Sequence, residues 1–128
     1  MCSTYRPFGT VITGDGENDD CAVSGDVTSQ GYNYGDDDTC GFDAGTDKAS
    51  APSPQLGALA SNGGPTMTQL PALTSPLLDA IPPAACLVNI DQRGITRPQG
   101  TGCEIGSVEI EVVAAAPEAA VVTPKFTG

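Results

Sequence analysis

Apolar residues in this chain come in short runs separated by turns, without the long 3.6-residue period of an amphipathic helix. Residues 10–13 (TVIT) are a β-branched run that ends at a GDG turn, which predicts a short strand. Residues 108–113 (VEIEVV) alternate apolar and acidic side chains, which predicts a half-buried strand with Glu109 and Glu111 on its solvent side. Residues 61–65 (SNGGP) predict a tight turn, because Asn and Gly tolerate positive φ. The pattern indicates an all-β chain with long polar loops and little or no helix.

The composition agrees with many short strands and a small core. The chain has 16 glycines, 11 prolines and no Trp in 128 residues, and such punctuation argues against long helices. Leu, Ile, Val and Phe make up about a fifth of the chain, near the border between folded and disordered composition. We divide the chain into residues 1–50, acidic and rich in loops, residues 51–113, the closing segment, and residues 114–128, an Ala/Pro linker and tail. The tail is expected to fray, and its alternative is a strand that adds to another sheet.

The charge excludes some functions. The formal net charge is -11, and ten of the 16 acidic residues precede residue 48. Nucleic-acid binding is disfavoured, because phosphate contacts require a basic face. No apolar run approaches the roughly 18 residues of a membrane span, and residues 1–9 (MCSTYRPFG) do not form a signal peptide.

An ordered set of motifs in residues 56–109 resembles the C-terminal end of a known family. The set comprises LGAL at 56–59, NGGPT at 62–66, Thr68, SPLLDA at 75–80, Cys86, DQRG at 91–94, Arg97 with Pro98, CEIG at 103–106, and Glu109. It is similar to the choice-of-anchor or polymorphic outer membrane protein-like surface proteins of bacteria. The chain departs from that pattern at Ser61, Gln69, Thr74, Ile81 and Glu104.

The resemblance implies a fold and a location. The fold would be the C-terminal coils of a right-handed parallel β-helix, with partial coils in residues 1–50 and the terminal coils in residues 51–113. Coils of a solenoid bury their faces by stacking, so upstream coils, or self-association through the open edge, are the expected partners. Surface glycans or proteins are further candidates. The location would be extracellular or at the cell surface, and the chain would be a piece of a longer secreted protein.

Five cysteines in so short a chain suit an oxidising compartment better than the cytosol. Sequence alone leaves their pairing open. We expect Cys21 to pair with Cys40 and Cys86 with Cys103, because each bridge would close a local polar loop, and Cys2 would be left over. A zinc site is the weaker alternative, since the chain has no His and no CxxC pair.

Two acidic loops carry part of a calcium-loop pattern. Asp15, Glu17, Asp19 and Asp26 fall at the first, third, fifth and twelfth offsets, but Asp20 stands where a glycine is required. Asp36, Asp38, Gly41 and Asp47 fit a second loop in which Cys40 replaces a ligand. The default interpretation is a solvated acidic surface. Calcium is the single cofactor candidate, with Asp15, Glu17, Asp19, Asp36, Asp38 and Asp47 as its ligands.

Catalytic residues are scarce in the sequence. Without His and without a GxSxG motif there is no case for a hydrolase triad. Asp79, Asp91, Arg93 and Arg97 are the one set that could serve a polysaccharide lyase or hydrolase. We interpret them instead as structural anchors, whose ion pairs and carbonyl hydrogen bonds lock the closing loops.

The sequence therefore predicts a non-enzymatic, extracellular or cell-surface β-helix piece with a structural or adhesin-like role. A fragment of a β-helix polysaccharide lyase or hydrolase is one alternative. A self-assembling extracellular structural subunit is another.

Overall fold

The structure, a computed structural model, describes residues 4–112. Regular secondary structure in this part of the chain is sparse. Strand β1 spans Val11–Ile12, strand β2 spans Tyr34–Gly35, and a short 3₁₀ helix spans Pro83–Ala85. The two strands pair in parallel, with Val11 opposite Tyr34. Single parallel bridges also join Tyr5 to Val27 and Tyr34 of β2 to Lys48.

The predicted fold, a right-handed parallel β-helix, is wrong. Residues 4–112 contain two strands of two residues each and no stack of coils. Part of the physical reason is that side chains interrupt the backbone pairing at two places: Asn33 Oδ1 accepts from Thr10 N, and Thr46 Oγ1 accepts from Tyr32 N. Backbone groups satisfied in this way are not available to continue regular strands. The partners expected from the sequence, upstream coils or further copies of the chain, stay a prediction.

The predicted strand at residues 108–113 is also wrong as far as residue 112, and Val113 lies outside the described residues. Residues 108–112 are irregular, and their burial does not alternate as expected. Glu109 is fully buried, whereas Val112 is 61% exposed. Glu109 is buried because Arg97 and two backbone N–H groups bind its carboxylate. The expected strand at residues 10–13 is present in shorter form, as β1.

The chain reverses direction where SNGGP predicts a turn, in a loop of residues 61–67. Antiparallel bridges from Ala60 to Thr68 and from Leu56 to Pro71 flank residues 61–67, and Gly63 and Gly64 have φ of 92° and 77°. The Asn62 amide closes the turn by donating to Thr68 O at 2.7 Å.

One apolar core draws on distant parts of the chain. Its buried members are Tyr34, Leu77, Ile81, Cys103 and Ile105, with Phe8 and Val11 packed against them. Residues 4–50 and residues 51–112 therefore share this core. Asn33, next to Tyr34, is fully buried. Its side-chain amide donates to Pro7 O and to Asp47 Oδ1, and so connects the segments around residues 7 and 47.

Two disulfides staple the loops. They are Cys21–Cys40 and Cys86–Cys103, with Cα–Cα distances of 4.8 Å and 6.1 Å, and these are the pairs expected from the sequence. Cys2 and the linker and tail, residues 114–128, lie outside the described residues. In a chain with so small a core, each bridge of this loop length contributes about 3 kcal/mol by restricting the unfolded chain.

Candidate functional site

The DQRG turn places a buried carboxylate at the centre of the closing loops, which are residues 91–109. Asp91 is 6% exposed. Its Oδ1 accepts from Arg93 N at 2.7 Å and from Ile95 N at 2.9 Å, and its Oδ2 accepts from Glu109 N at 2.9 Å. Burial by itself would raise the pKa of Asp91, but these N–H donors and the Arg93 guanidinium outweigh it and hold the pKa below its ordinary value. Asp91 is therefore an ionised anchor for three backbone N–H groups, two in its own turn and one at Glu109.

Arg93 bridges two turns that are far apart in the sequence. Its Nε donates to Asp91 Oδ2 at 3.0 Å, its Nη1 donates to Asn62 O at 3.1 Å, and its Nη2 donates to Glu109 O. The side chain is 8% exposed. Gly64 packs so closely on this turn that a Cβ there would stand 2.7 Å from Arg93 Cα. The NGGPT and DQRG motifs therefore pack against each other in the folded chain.

Arg97 holds the CEIG segment. Its Nη2 donates to Gly106 O at 2.7 Å, and its Nε lies 3.3 Å from Glu109 Oε2 as an ion pair. The Glu109 carboxylate also accepts from Gln99 N at 2.9 Å and from Glu104 N at 3.2 Å. Both members of this ion pair are buried, with side-chain exposures of 5% and 0%.

Glu104 is the second acidic residue of this cluster that sequence reasoning gave no role. It is 3% exposed, and no described donor contacts its Oε2. Burial, then the hydrogen bond and charge of Glu109, raise the pKa of Glu104 to about 8. The sequence carries no clear signal for this cluster, because Glu104 appears there only as a departure from the motif pattern and Glu109 is predicted on the solvent side of a strand.

Asp79 stands apart from that ionic cluster. It is solvent-exposed, has a positive φ of 50°, and accepts from Gly102 N at 2.8 Å through Oδ1. A Cβ on Gly102 would lie 2.5 Å from Ile81 O, so only glycine permits this close approach. Asp79 fastens the chain around Cys103, whereas Asp91, Arg93 and Arg97 are brought together with Glu109.

The acidic loops form a second, more exposed cluster. Asp20, Asp36 and Asp37 line a shallow depression of about 320 Å³ together with Glu17 and Asp19. Asp20 Oδ2 and Asp36 Oδ1 are buried without a hydrogen-bond partner. The neighbouring Asp36 carboxyl, with desolvation, raises the pKa of Asp20 to about 6. Donors from Thr39 and the Asp20 N–H lower the pKa of Asp37.

The six predicted calcium ligands are not assembled into one site. Glu17, Asp19 and Asp36 border the depression, and Asp15 accepts from Glu17 N at 3.0 Å. Asp38 is exposed. Asp47 belongs elsewhere, since it accepts from Asn33 N at 2.8 Å and Ala44 N at 2.9 Å. Within residues 4–112, no group of three or more acidic or cysteine side chains is placed to hold a metal ion, and calcium binding stays a prediction.

An apolar groove of about 390 Å³ lies between the N-terminal strand and the CEIG segment. Its lining includes Val11, Leu56, Leu77, Ile105 and Val108, with Thr10, Gln69 and Ser107 as its polar side chains. These polar side chains are uncharged at ordinary pH, so the groove itself presents no acid, base or cationic group. The groove could hold an apolar group, but none of its lining side chains could act as an acid or a base.

Comparison with known proteins gave no relative: no family model, no curated protein and no solved structure matches the chain. The resemblance of residues 56–109 to the bacterial surface family therefore stays a prediction. None of the helices described in residues 4–112 combines the length and hydrophobicity needed to cross a bilayer.

Proposed function

We propose that this chain is a non-enzymatic, disulfide-stabilised extracellular module with a structural or adhesin-like role. The observation that carries the proposal is how Asp91, Arg93 and Arg97 are used: their charged groups bind the backbone of the closing loops and one another. Side chains committed in this way to the chain's own carbonyls and N–H groups support loops. The extracellular assignment rests on the Cys21–Cys40 and Cys86–Cys103 disulfides, which suit an oxidising environment.

The competing proposal is a polysaccharide lyase or hydrolase. Such an enzyme requires carboxyl groups and a base within reach of a bound sugar, and Asp79 is the exposed carboxylate of the four nominated residues. The test is incubation with acidic polysaccharides, with and without calcium, followed by measurement of unsaturated product and of new reducing ends. We expect neither product.

The matched variants make that test decisive. Asp79→Ala removes the nominated carboxylate, whereas Asp43→Ala removes an exposed aspartate outside the set. Product that forms with the natural chain and with Asp43→Ala, but not with a folded Asp79→Ala protein, would overturn the non-enzymatic proposal. Circular dichroism of both variants establishes that they are folded.

An adhesin-like role is favoured by exposed apolar side chains after Cys86. Leu87, Val88 and Ile90 are 67%, 53% and 59% exposed, and clustered apolar exposure marks protein-binding surfaces. A protein partner suits such side chains better than a glycan does. The assay is binding of labelled protein to surfaces coated with extracellular proteins, with glycan-coated surfaces in parallel.

Two substitutions separate adhesion from a purely structural role. Leu87→Ser combined with Ile90→Ser should reduce binding several-fold, while Leu73→Ser, at a side chain that is 80% exposed, should leave it unchanged. Binding to no coated surface would remove the adhesive role. Light scattering at several concentrations tests self-assembly, and a monomer throughout would exclude that alternative.

A further inference from the structure

Two carboxyl groups meet in the interior of the closing loops with too little positive charge to ionise both. Glu104 and Glu109 are 3% and 0% exposed, and the negative charge of Glu109 acts on the Glu104 carboxyl. The backbone N–H of Glu104 also donates to Glu109 Oε2 at 3.2 Å. Two buried carboxylates side by side repel strongly, so one of the pair retains a proton.

The geometry identifies which of the two carries the negative charge. Glu109 has the donors that stabilise a carboxylate: Gln99 N, Glu104 N and the Arg97 ion pair. Glu104 Oε2 is buried without a hydrogen-bond partner among the described residues, so nothing there stabilises a negative charge. The proton of the pair therefore resides on Glu104.

The surrounding charges favour this distribution. Arg97 is the cation at the pair, but it also donates to Gly106 O and to Glu104 O. Arg93 is already paired with Asp91, and Asp79 adds negative potential at Glu104. One guanidinium therefore balances one carboxylate.

We propose that Glu104 and Glu109 form a proton-sharing carboxyl pair that locks the loops of residues 91–109 and weakens that lock when the proton is lost. The fold thereby carries a pH-sensitive element. It favours the closed loops in acidic surroundings and loosens them in alkaline ones.

The direction of the pH effect follows from burial. Desolvation, with the hydrogen bond and charge of Glu109, raises the pKa of Glu104 from 4.5 to about 8. The raised pKa means that the folded chain retains a proton that the unfolded chain releases. This contribution to stability is fully present below about pH 4.5, declines as pH rises, and is lost once pH passes about 8.

The first test is the titration of Glu104 itself, followed by the ¹³C chemical shift of its side-chain carboxyl in the folded natural chain. We expect a midpoint near 8 rather than the ordinary 4.5. A midpoint near 4.5 would overturn the proposal. This measurement requires no substitution, so it decides the matter even where a variant fails to fold.

The second test compares Glu104→Gln with Glu111→Gln, the same substitution at an exposed position. Free thiol is alkylated beforehand, so that disulfide exchange at high pH does not contribute. Between pH 5 and 9 the melting temperature of Glu104→Gln should fall less than that of the natural chain, while Glu111→Gln should follow the natural chain. Equal slopes for the two variants would contradict the proton-sharing pair.

Discussion

Replacing Asp91 by Ala should remove the anchor on which the closing loops depend. The substitution removes the carboxylate that accepts from the backbone N–H groups of Arg93, Ile95 and Glu109. It also leaves the Arg93 guanidinium buried, at 8% side-chain exposure, without its counter-ion. Both losses act on the folded state, because the unfolded chain solvates these groups with water.

The expected magnitude follows from those contacts. A hydrogen bond to a charged group contributes about 1.5 kcal/mol or more, and three backbone donors lose such a bond. Removing one partner of a buried ion pair costs about 3 to 5 kcal/mol. The two figures describe overlapping losses and are not additive, so we expect the free energy of unfolding to fall by about 4 kcal/mol. That is a large part of the total stability of about 5 to 15 kcal/mol that is usual for a domain.

The assay is urea denaturation with the disulfides intact, followed by tyrosine fluorescence. The chain has no Trp, and Tyr34, which is 2% exposed, reports on the core. Asp43→Ala is the control, because it also removes one negative charge but from an exposed position, where substitutions change stability by about 0.5 kcal/mol or less. Asp91→Asn should not restore the stability, since its side-chain NH₂ group would face the N–H donors that Oδ2 accepts from in the natural chain.

Equal midpoints for Asp91→Ala and Asp43→Ala would refute this reasoning. The natural chain offers an independent check in acid. Because the folded pKa of Asp91 is lowered from 3.8, its contribution is present above that pH and is lost as pH falls through the folded pKa. Asp91→Ala should therefore lose less stability on acidification than the natural chain does.

Further predictions concern the glycine contact and the disulfides. Gly64→Ala should lower the free energy of unfolding by about 2 kcal/mol, because its Cβ would stand 2.7 Å from Arg93 Cα at a φ of 77°, whereas Gly45→Ala, with open space around it, should change it little. Replacing Cys86 and Cys103 together by Ser should cost about 3 kcal/mol in the same denaturation experiment, and an unchanged midpoint would contradict a stabilising bridge. Thiol counting without reductant should find one free thiol among the five cysteines, and five would contradict the assignment to an oxidising compartment.

The local chemistry of the turns could be predicted from the sequence. SNGGP predicts a turn because Asn and Gly accept positive φ, and Gly63 and Gly64 adopt it. The two cysteine pairs expected from local loop closure are the pairs that the structure joins. Each of these features depends on residues that are close in the sequence, where the geometry of a short segment limits the outcome.

Residues distant in the sequence escaped the same reasoning. The alternation in residues 108–113 placed Glu109 outside, yet Arg97 and the N–H groups of Gln99 and Glu104 make a buried carboxylate favourable there. No period along the chain encodes that arrangement. The β-helix prediction failed in part for a related reason, since Asn33 and Thr46 each bind a backbone N–H group from a segment distant in the sequence.

The sequence by itself determined that the chain is acidic, rich in turns and short elements, and able to form local disulfides. These properties depend on composition and local spacing, which do not require tertiary contacts. Tertiary structure alone decided that NGGPT packs on DQRG, that Asp91, Arg93, Arg97 and Glu109 share one buried cluster, and that Glu104 lies against Glu109. Burial changes the free energy of a charge according to its neighbours in space, and those neighbours come from segments that the sequence keeps apart.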